Sequence, residues 1–123
     1  MQIKPIIWIA STKDDLISLP DEVQDEIGFA LYQAQKGAKS DSAKPFKGFK
    51  SAAVLEIVEN NIGGTYRAVY TVKFKEVIAV LHVFQKKSKQ GIATPIQDVN
   101  LIKSRLNLAE QEYQEWLLKQ RKL

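Results

Sequence analysis

Three β-rich runs follow one another with almost nothing between them: residues 52–58 (AAVLEIV), 65–73 (TYRAVYTVK) and 76–84 (EVIAVLHVF). The first gap holds Asn60, Asn61, Gly63 and Gly64, all strong turn formers. The second is only Phe74 and Lys75. Connections this short leave no room for a crossover helix, so the three strands form an antiparallel meander. An isoleucine-rich run at residues 4–10 (KPIIWIA) reads as one further strand, joining the edge of the sheet.

Helices flank the meander. Residues 11–19 allow a brief helical turn. Pro20, followed by Asp21 and Glu22, signals a helix start, and Val23, Ile27, Ala30, Leu31 and Ala34 then recur at helical spacing. Gly37, after Lys36, ends that helix. Residues 38–51 are polar and lysine-rich, and read as a loop. Residues 85–94 form a second basic loop. Thr94, Pro95 and Gln97 make a helix-start box, and Ile96, Val99, Ile102, Leu106, Ala109, Tyr113, Trp116 and Leu117 trace an apolar stripe almost to the end. The expectation is a single α+β domain over residues 1–123. A small twisted antiparallel sheet of three or four strands packs with N-terminal helices and a long C-terminal helix.

A turn centred on Phe74–Lys75 puts Arg67 opposite His82 and Thr71 opposite Ile78. Alternation then divides the hairpin. Tyr66, Ala68, Tyr70, Val72, Val77, Ala79, Leu81 and Val83 form an apolar face. Arg67, Val69, Thr71, Ile78, Val80, His82 and Phe84 form the other. A slip of one residue would send one strand's side chains to the opposite face.

Charge is unevenly spread. Residues 1–35 net −4 (Lys4 and Lys13 against six acids), residues 36–89 net +7 (eleven Lys/Arg against four acids), and the remainder +1. A positive middle suits an anionic partner such as nucleic acid, or lysines that merely solubilise a surface. There is no cysteine and one histidine, so a metal centre and a thiol nucleophile are not expected. No run approaches a signal peptide or a membrane span, so the expected location is cytoplasmic, without membrane attachment. An arginine beside a histidine has chemical meaning. Arginine holds a phosphate through paired hydrogen bonds, and histidine moves a proton near neutral pH. RNA brings its own nucleophile, the 2′-hydroxyl. The plainer readings stand beside these. A lone histidine on a strand is more often structural, and Arg67 has Glu56 or Glu59 as ready partners on the neighbouring strand. Phe84 is placed either to stack a base or to pack under the terminal helix, and Tyr70 is read as core.

The runs KPFKGFKSAAVLEIVENN, GGTYRAVYTVKF and VIAVLHVFQKKSKQGIATP, with the helix PIQDVNLIKSRLNLAE, resemble the phage-derived, HigB-like branch of the RelE/ParE toxin superfamily over about residues 44–110. The resemblance implies helices on one face of a small antiparallel sheet and a basic concave surface opposite. It implies a toxin of a type II toxin–antitoxin pair that cleaves mRNA without metal or cofactor, often during translation on the ribosome. The implied partner is an antitoxin with a helix-turn-helix domain, and homo-oligomer formation is left open. Carried over, Arg67, His82 and Lys86 are the expected catalytic residues. Lys47, Lys50, Phe84, Lys87 and Lys89 are the expected RNA contacts. Two family features are absent: Glu56-Ile57 is followed by Val58 where many relatives have a basic residue, and the late tyrosine of the sheet has no equivalent. A gyrase-inhibiting toxin of the same fold, and a non-catalytic nucleic-acid-binding module, are the alternatives.

Overall fold

The computed structural model describes residues 2–49, 51, 53–86 and 94–121. The elements run β1 (Ile6–Trp8), α1 (Thr12–Ile17), α2 (Asp21–Gln35), β2 (Ala43–Pro45), β3 (Val54–Asn61), β4 (Gly64–Thr71), β5 (Ile78–Lys86) and α3 (Ile96–Arg121). The meander is as expected: β3 pairs β4 and β4 pairs β5, both antiparallel. The sheet is larger than expected, with five strands in the order β1-β5-β4-β3-β2. It is also mixed, because β1 pairs with β5 in parallel, Ile6 beside Ile78. β2 lies inside the stretch read as a loop and pairs with β3, Lys44 opposite Glu56.

Sequence signals account for the helix ends. Pro20 sits at the N-cap position of α2 with Asp21 and Glu22 in the first turn. Their negative charge favours the unpaired N–H groups there. At the other end Gly37 takes φ +87°, a conformation that costs glycine little. The turn lets the Gly37 and Ala38 N–H groups donate to the Ala34 and Gln33 carbonyls.

Both faces of the sheet are covered, which corrects the expectation of helices on one face only. Leu16, Val23, Ile27 and Leu31 of α1 and α2 pack on Leu55, Ile57, Ala68, Tyr70 and Val80. On the other face Ile102, Ala109 and Tyr113 of α3 pack on Val54, Val69, Phe74, Ala79 and Leu81. β5, flanked by β1 and β4, is buried along nearly all its length. That accounts for its almost unbroken apolar sequence. No helix among the described residues is long and apolar enough to cross a membrane.

The hairpin register differs from the expected one in two steps. The strands end at Thr71 and resume at Ile78, so Thr71 is already opposite Ala79, not Ile78. Then Val69 faces His82 while Tyr70 faces Val80, so Leu81 is an extra residue, and this β-bulge adds a second step that puts Arg67 opposite Phe84, not His82. The bulge also swaps faces within β5. Ile78 and Val80 join the α1/α2 core, while Ala79 and Leu81 join the α3 core.

Candidate functional site

Where β2, β3 and β4 lie side by side beneath the start of α3, a cleft of about 380 Å³ opens, lined by Lys44, Lys47, Glu56, Arg67, Thr94 and Val99 over the Phe46 ring and Gly48. Gly48 is confined: a Cβ there would lie 2.6 Å from the Phe46 ring, closer than carbon atoms pack. Strand pairing positions the charges. Lys44 is opposite Glu56 across β2 and β3, and Arg67 is opposite Val58, one diagonal step from Glu56. The Arg67 Nη1 donates to Glu56 Oε2 at 2.9 Å, and Lys44 Nζ stands 3.9 Å from Oε1. Both members of the inner pair are buried, while Lys44 reaches solvent.

This cluster contains more donors than its one carboxylate satisfies. Arg67 Nε and Lys86 Nζ are both buried, with no hydrogen-bond partner among the described residues. Lys86 sits on β5 opposite Thr65, again one diagonal step from Arg67. Burial pushes its ammonium below the usual lysine range. The neighbouring Arg67 and Lys44 push the same way, and Glu56 opposes. Buried donors without acceptors are costly, and in a native protein they mark a place where something else supplies the acceptor.

His82 stands apart from the cleft lining. Its Nε2 lies 2.8 Å from Asp98 Oδ1, and its Nδ1 lies 3.3 Å from Arg105 Nη1. Arginine only donates, so Nδ1 accepts and the ring proton is on Nε2, facing Asp98. The same Arg105 Nη1 donates to the Leu81 carbonyl at 3.0 Å, so α3 ties down the bulge and the ring together. Phe84 stacks on His82 with centroids 4.3 Å apart.

The His82 pKa lies below its ordinary value, chiefly because the ring is buried. The Asp98 bond and charge raise it, Arg105 lowers it, and Asp15 raises it. The unfolded chain then binds more protons than the folded one just below the ordinary histidine pKa. His82 therefore withdraws stability as pH falls through that window, and above it the term is constant. We expect the denaturation midpoint of the parent protein to drop in mild acid more steeply than that of His82→Gln. Equal slopes, or ¹⁵N shifts placing the proton on Nδ1, would contradict the arrangement.

Of the residues singled out from sequence, Arg67 and Lys47 line the cleft, and Lys86 is buried beside Arg67. His82 and Phe84 form a separate stacked pair under α3. Lys50, Lys87 and Lys89 lie outside the described residues. Tyr70 is core, as expected; burial pushes its phenol up to about 12, so it stays protonated. The sequence marks Glu56 only as a partner for Arg67 and Lys44 only as part of a lysine-rich loop, and it gives no sign of Asp98 or Arg105. A lone carboxylate inside the apolar strand AAVLEIV was the available signal for Glu56. Among the described residues no group of three or more His, Asp or Glu side chains is arranged to hold a metal.

A family model described as "Phage derived protein Gp49-like (DUF891)" matches residues 14–107. The match runs from within α1 through β2–β5 into α3 and includes every cleft residue named above. No curated protein matches the chain. With more than half of its length matched, the chain belongs to the Gp49-like family of phage-derived proteins.

Proposed function

We propose that this protein is the toxin of a toxin–antitoxin pair and acts as an endoribonuclease, with an RNA phosphodiester held in the Lys44–Glu56–Arg67 cleft. The observation that carries this reading is the pair of buried, unsatisfied cationic donors, Arg67 Nε and Lys86 Nζ, beside a cleft rimmed by further lysines. A phosphate oxygen is the acceptor such donors lack, and Arg67 is suited to charge developing on it. Glu56 is the carboxylate in the cleft, so it takes the proton of the 2′-hydroxyl as that oxygen attacks phosphorus. The bond to the 5′-oxygen breaks, leaving a 2′,3′-cyclic phosphate, and the released 5′-oxygen is protonated from solvent. Lys44 and Lys47 steer the backbone, and Lys86 offsets its charge. His82 has both ring nitrogens engaged by α3, so its role is to position β5. The expected partners are mRNA and a helix-turn-helix antitoxin.

The test is primer extension on messages after brief induction, comparing the parent with Glu56→Gln/Arg67→Gln, which keeps a neutral hydrogen-bonding pair in place. Discrete cuts that fall by about 10²–10³-fold in the variant are expected, the scale of losing one preorganised donor at a developing charge. Intact messages during growth arrest would discard the nuclease reading, and DNA damage in their place would favour gyrase as the target.

A further inference from the structure

The cleft sets up a charge problem that bears on how it takes an anion. Four ionisable groups from four strands meet there: Lys44 on β2, Glu56 on β3, Arg67 on β4 and Lys86 on β5. If all are charged, three cations face one carboxylate. Arg67 cannot shed its charge, and Lys44 reaches water and keeps its own. Lys86 is in neither position: its side chain is buried at 7% exposure, its Nζ has no acceptor among the described residues, and unlike a guanidinium an ammonium can give up its proton. Burying an ammonium without a partner favours the neutral amine. An arriving oxyanion shifts the balance, because it adds negative charge where positive charge was in excess. Direct contact with Lys86 is not required, since the coupling is electrostatic and the surroundings are of low polarity.

We propose that anion binding in this cleft is coupled to proton uptake by Lys86, whose buried amine lacks a counter-charge in the empty site and becomes an ammonium when a phosphodiester or a similar oxyanion enters. The inference rests on the reading of the cleft as a phosphodiester site, and adds a proton to its binding stoichiometry. Binding is then favoured by falling pH over the range in which Lys86 titrates. In that range affinity weakens by up to roughly tenfold per pH unit as pH rises.

Inorganic sulfate is the probe, because it stays dianionic from about pH 7 to about pH 9.5 while lysines respond. Calorimetric titration of the full chain at constant ionic strength, in buffers of different ionisation enthalpy, reads the proton directly. For the parent, the observed heat is expected to vary with buffer in the sense of proton uptake, and affinity to weaken as pH rises. Lys86→Met is expected to bind sulfate more weakly with heats independent of buffer. Lys86→Arg carries a permanent charge and is expected to bind with neither buffer nor pH dependence. Sulfate binding to the parent with no buffer dependence anywhere in this range would overturn the proton coupling and leave the cleft reading standing. The same holds if proton uptake persists in Lys86→Met. No binding that is sensitive to Glu56→Gln/Arg67→Gln would overturn both.

Discussion

Glu56→Ala is expected to destabilise the protein by about 3–5 kcal/mol, whereas Glu56→Leu combined with Arg67→Met leaves stability near or above that of the parent. The asymmetry follows from burial. Glu56 is 3% exposed and Arg67 7%, and the 2.9 Å bond between them is the hydrogen bond the guanidinium makes among the described residues. Removing the carboxylate leaves a buried arginine beside Lys86 and Lys44, three cations with no counter-charge. Removing both members removes the desolvation cost along with the attraction, and also relieves Lys86 of one cationic neighbour. Urea denaturation of the two single variants and the double variant measures the coupling. A loss below about 1 kcal/mol in Glu56→Ala would mean that water reaches the arginine, and the description of Glu56 and Arg67 as a buried ion pair would fall. The expected result also says what the pair is for. A charge pair that can be replaced at no cost in stability is not kept for stability.

Much of the fold was legible because it is local. The period of α2 and α3, the proline and glycine at the ends of α2, and the turns at Asn61–Gly64 and Phe74–Lys75 are all written in short windows of sequence. The two elements misread are those that depend on remote partners. β2 has three residues, too few to show a period, and it includes Pro45. Proline is tolerated there because β2 is an edge strand whose free side needs no N–H. The parallel pairing of β1 with β5 joins residues more than seventy positions apart, and nothing in either run announces it.

The site divides along the same line. Arg67, Lys47 and Lys86 stand out as basic residues on or beside strands, and residue type alone marks them as candidates. Their burial does not show in the sequence. Lys86 reads as the first lysine of a solvated loop, yet it is the last residue of β5 and lies under cover. Asp98 and Arg105 are two helical turns apart on α3, spaced to meet one surface. That surface cannot be named until the sheet's register is known, and the register turns on a single residue.

Deleting Leu81 is expected to cost about 2–5 kcal/mol with cooperative folding retained, while Leu81→Met costs less than about 1.5 kcal/mol. Leu81 is the extra residue of the bulge, between pairs Tyr70–Val80 and Val69–His82. Before it, Ile78 and Val80 fill the α1/α2 core. After it, His82 turns toward Asp98 and Arg105 of α3, and Val83 returns to the α1/α2 core. Leu81 and His82 both face α3, so removing Leu81 leaves Val80, His82 and Val83 in regular alternation, and neither half of β5 turns over. The cost is the fully buried Leu81 side chain lost from the α3 core, together with the carbonyl that Arg105 holds. The bulge also has a fastener, since Arg105 holds the Leu81 carbonyl and the His82 ring with one nitrogen. Amide dispersion by NMR and urea unfolding would read the outcome. A deletion variant that unfolds cooperatively, with the His82 proton still on Nε2, is the expected result, because the faces on either side of the bulge are unchanged. Loss of cooperative folding would show that β5 cannot close up into regular pairing, and the bulge would then be required by the twist of the sheet and not only for the Leu81 side chain and its carbonyl.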